Sequence, residues 1–573
     1  MSRWLIAFKP ETALAVGGYT PAVFTDKATA RDERGLPVIP GTAVKGALRI
    51  ELQRLHPGMV AAIARLFGTP GTDGGLLRFG NARCRPATGA VGDMLSGTDG
   101  GVLFDMRTGV AVSRRTRTAE IGLLFSGVTT APFFDGITFE AEVTAADQPM
   151  TPDDERAFNQ MLDGLKHVGI AIGSGRSRGL GWFSIEWQGP ADSPPRQVDL
   201  PEGIAEWQVI LTPLEEHRFS RLKPRGYLYE TVDYIAGGTL RGAVAARLGT
   251  GHSLFKDLFF GANPARFGPL YPADNEDGSR PLPLSARFCK AHPGADVDLG
   301  PRNRLGVRRH GIRDILIHRL TLDAPDPVCP HCGSGLAAAD GFYWWYGSGA
   351  PLIVSTSTHL CTKLALDSER QAAKIGKMYS YQCGRVPKQE GDRHYVGTIT
   401  GMAREAAAAI AASGELWVGG ARSRGMGRMK LELRPAPARP GIVERLDRLA
   451  AKPADNDGRC WFTLDAESDV VLPFGESLAV LLRRQLPDGV EFPAAFVRAG
   501  MAGGYNAALG MPKEMLSTAA MGSCIAASVP AGMRTELEQK LERLEREGIG
   551  LRRHEGYGRV RVCDEFHLLT DPA

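Results

Sequence analysis

No run of this sequence approaches the roughly 20 consecutive apolar residues that a membrane-crossing helix needs, so no membrane contact is expected. The opening MSRWLIAFKP holds a short apolar run but lacks the longer apolar core and small-residue cleavage site of a secretory leader. Cysteine is sparse, nine residues in 573, too few for a disulfide scaffold. Together these absences predict a cytoplasmic protein with reduced thiols. An excess of one charge is also lacking. The formal net charge is only +4, so any surface for nucleic acid must come from local clusters of Arg and Lys. What is present, 43% hydrophobic and 23% charged residues, is the composition of a globular chain of roughly three to four domains.

Glycine is plentiful, and part of it sits in a phrase that recurs. GSGRSRGLG spans Gly173 to Gly181, GGARSRGMG spans Gly419 to Gly427, and a looser GIGLRRHEGYG spans Gly548 to Gly558. Each copy follows a helical stretch and precedes an alternating one. The first helix is predicted over 153–168, with Thr151 and Asp154 spaced as a capping pair, and Phe183, Ile185 and Trp187 then alternate as a half-buried strand. A second repeat relates IPGTAVKGALRIELQRL (39–55) to YIAGGTLRGAVAARL (234–248). In both, a small-residue turn opens a helix with an apolar stripe and a basic residue, Lys45 or Arg241, and Arg49 lies one turn past Lys45. Helices alternating with strands in compact units predict an α+β chain of ferredoxin-like, RRM-like domains. Pro-rich stretches at 188–203 and 434–441 divide it into 1–190, 204–433 and 442–573. Residues 261–349 read as an insertion in the middle domain that needs a staple.

The insertion supplies one. CKAH gives Cys289 and His292, and CPHC gives Cys329 and Cys332; two knuckles of two-residue spacing predict a tetrahedral structural zinc site. Full coordination argues against a zinc hydrolase. The other six cysteines show no such spacing and are read as buried or inert. The Gly/Arg loops suit phosphate oxygens, because glycine lets backbone N–H groups approach and guanidinium forks bind oxyanions. Their spacing does not fit a dinucleotide fingerprint, and the Gly-Lys-Ser/Thr ending of a P-loop is missing. Phosphodiester contact is therefore assigned to Arg176, Arg178, Arg422 and Arg424, with less weight on the third loop because Glu555 stands inside it. An echo between 103–128 and 364–383 marks a β-hairpin in which Arg114, Arg115 and Arg117 form either a solvated face or an arm along a nucleic-acid backbone. The loop 23–41 holds Asp26, Asp32 and Glu33. Composition does not separate these from ordinary loop acidity, although a carboxylate beside RNA could hold a divalent metal.

IPGTAVKGALR followed far downstream by GSGRSRGLG resembles the RAMP superfamily of type III CRISPR-Cas effector complexes. Residues 1–190 look like a backbone-type RAMP subunit. YIAGGTLRGAVA, the paired knuckles, GGARSRGMG and GIGLRRHEGYGRV make 204–573 look like the RAMP subunit of type III-D systems. The resemblance implies crRNA and target RNA as ligands, with the backbone RAMP subunits and the large signalling subunit as neighbours. It also implies a position capping the crRNA 5′ tag. In backbone RAMPs a loop aspartate ahead of the IPG turn cuts target RNA with Mg or Mn. That implies Asp26 as the cutting residue, with Asp32 at a matching second position, and leaves the middle domain non-cutting. The alternatives are a purely structural RNA-binding subunit and, third, a crRNA-processing endoribonuclease. The latter needs a general base, for which only His167 and His554 lie near a Gly loop.

Overall fold

The computed structural model describes residues 2–17, 28–69, 74–86, 104–130, 137–145, 150–190, 198–220, 228–295, 297–298, 309–321, 327–345, 351–354, 356–366, 373–386, 393–450, 458–506 and 509–570. The chain is a mixture of helix and sheet built on three antiparallel sheets. In the first, the spatial order is Trp182–Gln188, Arg3–Pro10, Ile137–Ala145, Ala82–Pro86. Helix Gly41–Leu55 follows the first strand in the chain and helix Pro152–Val168 the third, which makes a βαββαβ unit with strand order 4-1-3-2. The second sheet repeats this order with Arg428–Pro435, Glu206–Pro213, His394–Thr400 and Arg266–Phe267, and the third with Val560–Val562, Arg459–Ala466, Cys524–Pro530 and Glu491–Phe496.

Each sheet has its own apolar core. In the first unit Trp4, Ile6 and Phe8 alternate inward along one strand and meet Val44, Leu48 and Leu52 of the first helix. Thr151 caps the second helix, accepting a hydrogen bond from the Asp154 backbone at 3.1 Å. Trp207, Val209 and Leu211 pack on Leu240, Val244 and Ile410 in the second unit. Phe462 and Leu464 pack on Leu537, Leu541 and Leu544 in the third. The Pro-rich 434–441 stretch joins the last strand of the second unit to helix Ile442–Ala450.

The three Gly/Arg loops share one backbone. Each makes a single 3₁₀ turn, Arg176–Arg178, Arg422–Arg424 or Arg553–Glu555, flanked on both sides by left-handed residues. Two of those left-handed positions are not glycine, Ala421 at φ 59° and Arg552 at φ 55°. Within its own unit each loop closes at its last glycine. A Cβ on Gly181, Gly427 or Gly558 would sit 2.0, 2.0 or 1.8 Å from the carbonyl oxygen of Ile172, Val418 or Ile549.

The loops differ in what lies outside them. Gly425 of the second loop presses on the first unit: its Cβ would meet the Phe79 oxygen at 2.4 Å and the Gly41 Cα at 3.5 Å. Gly556 of the third loop presses on the second unit in the same way, 2.3 Å from the Phe267 oxygen and 3.0 Å from the Gly237 Cα. Gly41 and Gly237 are the first residues of the two repeated helices. So the loop of each later unit docks on the helix start of the unit before it. The residue after each docked loop ties the seam. Arg428 bonds Glu415 at 2.8 Å and reaches Glu142 of the first sheet. Arg559 donates to Thr398 at 2.7 Å and pairs with Glu206 at 3.5 Å. A Cβ on Gly179, the equivalent glycine of the first loop, would meet nothing within 4 Å among the described residues, and the residue after that loop is the exposed Trp182.

Within 261–349, Arg266–Phe267 and Tyr271–Ala273 join the second sheet, and the described residues from 280 to 345 form small sheets that lean on the third unit. Leu282, Ala286, Ile312 and Tyr343 cluster with Phe566. Below them the buried His567 bridges Asp314 of this segment at 2.6 Å and Asp465 of the third sheet at 2.8 Å. Burial opposes charge on His567, but Asp465 and Asp314 outweigh it and hold the imidazole well above its usual pKa.

Candidate nucleic-acid interface and metal centre

The first seam gathers cations from two units. Lys45 and Arg49 lie on helix Gly41–Leu55, and Arg424 comes from the second loop. Burial, then the charges of Arg424 and Arg49, pull the Lys45 ammonium down to about 8. Like charges held this close favour an anion between them. Arg424 is exposed and donates to the Tyr379 hydroxyl at 3.3 Å, which sets an aromatic ring beside the cluster. Arg422 is half-buried in the same loop.

The second seam has the same shape and a different charge. Arg241 occupies the place of Lys45, but its guanidinium lies over the rings of Phe259 and Phe260 and donates to the Phe259 carbonyl at 3.0 Å. Glu555 occupies the place of Arg424, and it is paired with Arg552 at 2.6 Å and Lys513 at 2.7 Å. Cations gather at both docked seams, but at the second they surround a carboxylate, whereas at the first a third cation, Arg424, takes that place. Arg176 and Arg178 belong to the open first loop, where Arg178 is exposed and lies over the Phe125 ring at 5.6 Å. Arg114, Arg115 and Arg117 stand together, all exposed, on the turn of the hairpin formed by Phe104–Val112 and Ala119–Thr130.

Asp26 lies outside the described residues. Asp32 does not present its carboxylate to a ligand. One oxygen accepts from the backbone N–H of Arg34 and of Leu36, both at 2.9 Å, and the other pairs with Arg34 at 3.3 Å; the side chain is 2% exposed. Its acidity closes the turn over 32–36. Beside it Glu33 pairs with Arg83 at 2.8 Å. Arg83 also pairs with Glu215 of the second unit at 3.4 Å, and Asn81 donates to the same carboxylate at 2.7 Å. Burial pushes Glu215 up to about 7 against the pull of Arg83 and Arg428. His167 is exposed near the end of helix Pro152–Val168, and His554 lies 3.8 Å from Glu555.

The predicted metal ligands converge, with one exchange. Cys289, Cys329 and Cys332 bring their sulfurs together with a ring nitrogen of His310, all four donor atoms within 4.8 Å of one another. Cys289 and Cys332 are 3.5 Å apart, and His310 Nδ1 is 3.3 Å from Cys329. The expected fourth ligand, His292, is not in this group. It lies against His310, ring centroids 4.2 Å apart, as an outer neighbour. Two-residue spacing pointed to His292. His310 sits instead on strand Arg309–His310, and its backbone N–H bonds the His292 carbonyl at 3.2 Å, so the fold brings it in from a remote segment. Three thiol donors with one imidazole, three of the four residues buried, fit a structural zinc ion.

With the site described, comparison with known proteins is informative over one region. Residues 7–184 match the RAMP superfamily model. The match covers the first sheet from its first strand to its last. No curated protein matches the chain. Among solved structures, a chain of the type III-B Cmr-beta complex in its apo state is 14% identical, with TM-score 0.26, covering 32% of this chain and 96% of its own. A chain of Cmr-beta bound to cognate target RNA and AMPPnP is 14% identical with TM-score 0.31, covering 56% and 86%. Oligomeric Cmr4 from Pyrococcus furiosus is 14% identical with TM-score 0.22, covering 34% and 100%. No helix among the described residues is long and apolar enough to cross a membrane.

Proposed function

We propose that this protein is a cytoplasmic crRNA-binding subunit of a type III, III-D-like, CRISPR RNA-guided complex. In this reading three ferredoxin-like RAMP domains, 1–190, 204–433 and 442–573, are fused in one chain, with a zinc-stapled insertion in the second. The observation that carries it is the Lys45, Arg49 and Arg424 cluster at the first seam, of which Lys45 and Arg49 lie inside the region that matches the RAMP superfamily. These cations would hold backbone phosphates and give affinity without reading sequence; specificity would come from guide–target pairing. The exposed Arg114, Arg115 and Arg117 would extend the contact as an arm. The open first loop, with Gly179 uncovered, fits a neighbouring RAMP subunit that offers the helix start that Gly41 and Gly237 offer within this chain. The later domains would cap the crRNA 5′ tag beside the large signalling subunit.

Target-RNA cleavage with Mg or Mn would fall to Asp26. The binding of Asp32 by its own turn favours the second reading, a structural subunit without cleavage, over a two-aspartate site. Two experiments decide. RNA co-purifying with the chain should be a set of guides sharing one 5′ end; a random RNA population overturns the assignment. The complex carrying Asp26→Ala, incubated with target RNA and magnesium, should lose cuts made by this subunit, and an unchanged cut pattern leaves the structural reading standing.

A further inference from the structure

A second group of metal-binding side chains lies away from the insertion. It comprises Glu216, His359, Cys361 and Cys383, whose donor atoms all lie within 4.8 Å of one another. His359 and Cys361 are two residues apart on strand Thr358–Leu366 and so point to one face. Cys383 is directly opposite His359 on strand Ala373–Gly384, which places it on that face too. Glu216 enters from the segment just after strand Glu206–Pro213, pinned by backbone bonds between its neighbour His217 and Gly384 at 2.8 and 3.3 Å. The contacts are close: Cys361 to Cys383 3.3 Å, Cys361 to His359 Nε2 3.2 Å, and His359 Nε2 to Glu216 3.2 Å.

The sulfur separation of 3.3 Å is far beyond the about 2.05 Å of a disulfide. It is close to the 3.5 Å between Cys289 and Cys332 at the insertion centre and to the roughly 3.8 Å that two thiolates keep on one tetrahedral zinc with about 2.3 Å bonds. The donor chemistry, two thiols, an imidazole and a carboxylate, is that of a four-coordinate zinc site. Cys361 and Cys383 are fully buried, and His359 and Glu216 meet them from the less buried side. Two thiolates and a carboxylate leave one excess negative charge on a divalent ion. Lys363 and Arg218 are near enough to feel the thiols and would balance it.

The first unit provides an internal comparison. Its hairpin has the same base: the Thr130 backbone N–H donates to the Leu14 carbonyl as that of Gly384 does to His217, the Leu14 N–H donates to the Thr130 hydroxyl, and Phe104 pairs with Thr130 as Thr358 pairs with Gly384. On that alignment the four ligand positions correspond to Ala13, Asp105, Arg107 and Thr129. There the hairpin base carries an Asp105–Arg107 ion pair at 3.9 Å and a buried Thr129. The frame therefore closes without any of these donors, and their convergence in the second unit is a feature of its own. We propose that Glu216, His359, Cys361 and Cys383 bind a second zinc ion, which staples the long hairpin 358–384 to the second sheet. Glu216 and His359 also line the cleft at the first seam, with Asn81 and Arg83, so the ion would brace the wall of the proposed RNA-binding face.

The test is the metal content of the full chain, purified with zinc and without chelator, by native mass spectrometry and elemental analysis. The expected result is about two zinc ions per chain, falling to about one in Cys361→Ser and, separately, in Cys329→Ser. In the wild type, about one ion that Cys329→Ser removes and Cys361→Ser leaves overturns the proposal while sparing the insertion site; the reverse pattern supports it and indicts the insertion site. Thiol titration of denatured, unreduced chain should find all nine cysteines. Two fewer means a Cys361–Cys383 disulfide and overturns it. Should Cys361→Ser fail to fold, His359→Ala carries the test: two ions in the wild type falling to about one in His359→Ala support the proposal, and a zinc content that His359→Ala leaves unchanged refutes it.

Discussion

Substituting the docking glycines separates seam packing from backbone strain. Gly41 starts a helix, where alanine is ordinarily better than glycine by up to about 1 kcal/mol. Here an added Cβ would lie 2.2 Å from the Phe79 oxygen and 3.1 Å from the Arg424 oxygen, both backbone atoms with little room to retreat. Gly41→Ala should therefore destabilise, by about 1–3 kcal/mol, the usual cost of overpacking. Gly425→Ala adds a second penalty. Its φ is +84°, which costs an L-residue roughly 1–2 kcal/mol, and its Cβ would meet the Phe79 oxygen at 2.4 Å, for a sum of about 2–5 kcal/mol. Gly179→Ala is the control, with φ +80° and nothing within 4 Å, so only the roughly 1–2 kcal/mol of backbone strain applies. Urea denaturation of the three variants, with amide hydrogen exchange at the helix start near Gly41, reads both effects. The expected order of loss is Gly425→Ala above Gly179→Ala, with protection at the helix start reduced in Gly41→Ala and Gly425→Ala alone. Equal losses for Gly425→Ala and Gly179→Ala, within about 0.5 kcal/mol, and unchanged exchange at the seam would refute the docking argument.

Lys45→Ala and Arg424→Ala should each weaken binding of single-stranded RNA about tenfold at low salt and lower the salt slope by about 0.7, measured by fluorescence anisotropy across a salt series, whereas Arg552→Ala, which removes a guanidinium already paired with Glu555, should change affinity less than about twofold. Glu215 makes the first seam pH-dependent. Its pKa in the fold is raised by burial to about 7, so its share of stability is complete below the ordinary value and is lost as pH rises through 7. That share is on the order of 3 kcal/mol, and Glu215→Gln should flatten the dependence in denaturation curves taken from pH 5 to 8. His567→Ala leaves Asp314 and Asp465 buried against each other and should cost about 3–5 kcal/mol, seen as early release of the insertion in limited proteolysis. Cys329→Ser should reduce solubility and loosen the insertion while leaving the Lys45 cluster's RNA affinity within about twofold.

Much of the local structure is legible in the sequence because it depends on near neighbours. The stripe Val44, Leu48, Leu52 specifies one helix, Thr151 its neighbour's cap, and Phe183 and Ile185 a strand facing inward. The glycine phrases mark tight loops because left-handed backbone needs them. What the phrases do not reveal is their partner. Gly425 touches Gly41 across 384 positions of sequence, and nothing local to either residue encodes the meeting. The metal centre shows the same division: the CPHC knuckle is local and readable, while His310 replaces His292 through a strand pairing that spacing cannot express. Asp32 is misleading for a related reason. An acidic residue in a polar loop looks available until the backbone N–H groups of Arg34 and Leu36 are seen to occupy it. Cys361 and Cys383, twenty-two positions apart, read as inert until the hairpin register sets them on one face.

The three loops differ less in fold than in what a docked neighbour requires of them. At the second seam the loop carries Glu555, which Arg552 and Lys513 hold directly and whose charge also reaches Arg241, so a carboxylate stands among the cations there. At the first seam the corresponding pair is Lys45 with Arg424, cation on cation, and close docking brings together charges that would otherwise separate. The glycine contact supplies the approach, and the cluster is its consequence: a seam this tight, with Arg49 one turn away, is stable in proportion to the anion that sits on it. RNA binding and domain docking should therefore be coupled. Saturating RNA should raise the urea midpoint of the wild type more than that of Arg424→Glu, which rebuilds the charge pairing of the second seam, and the free Arg424→Glu chain should be the more stable of the two. An equal midpoint shift for both chains would separate docking from binding.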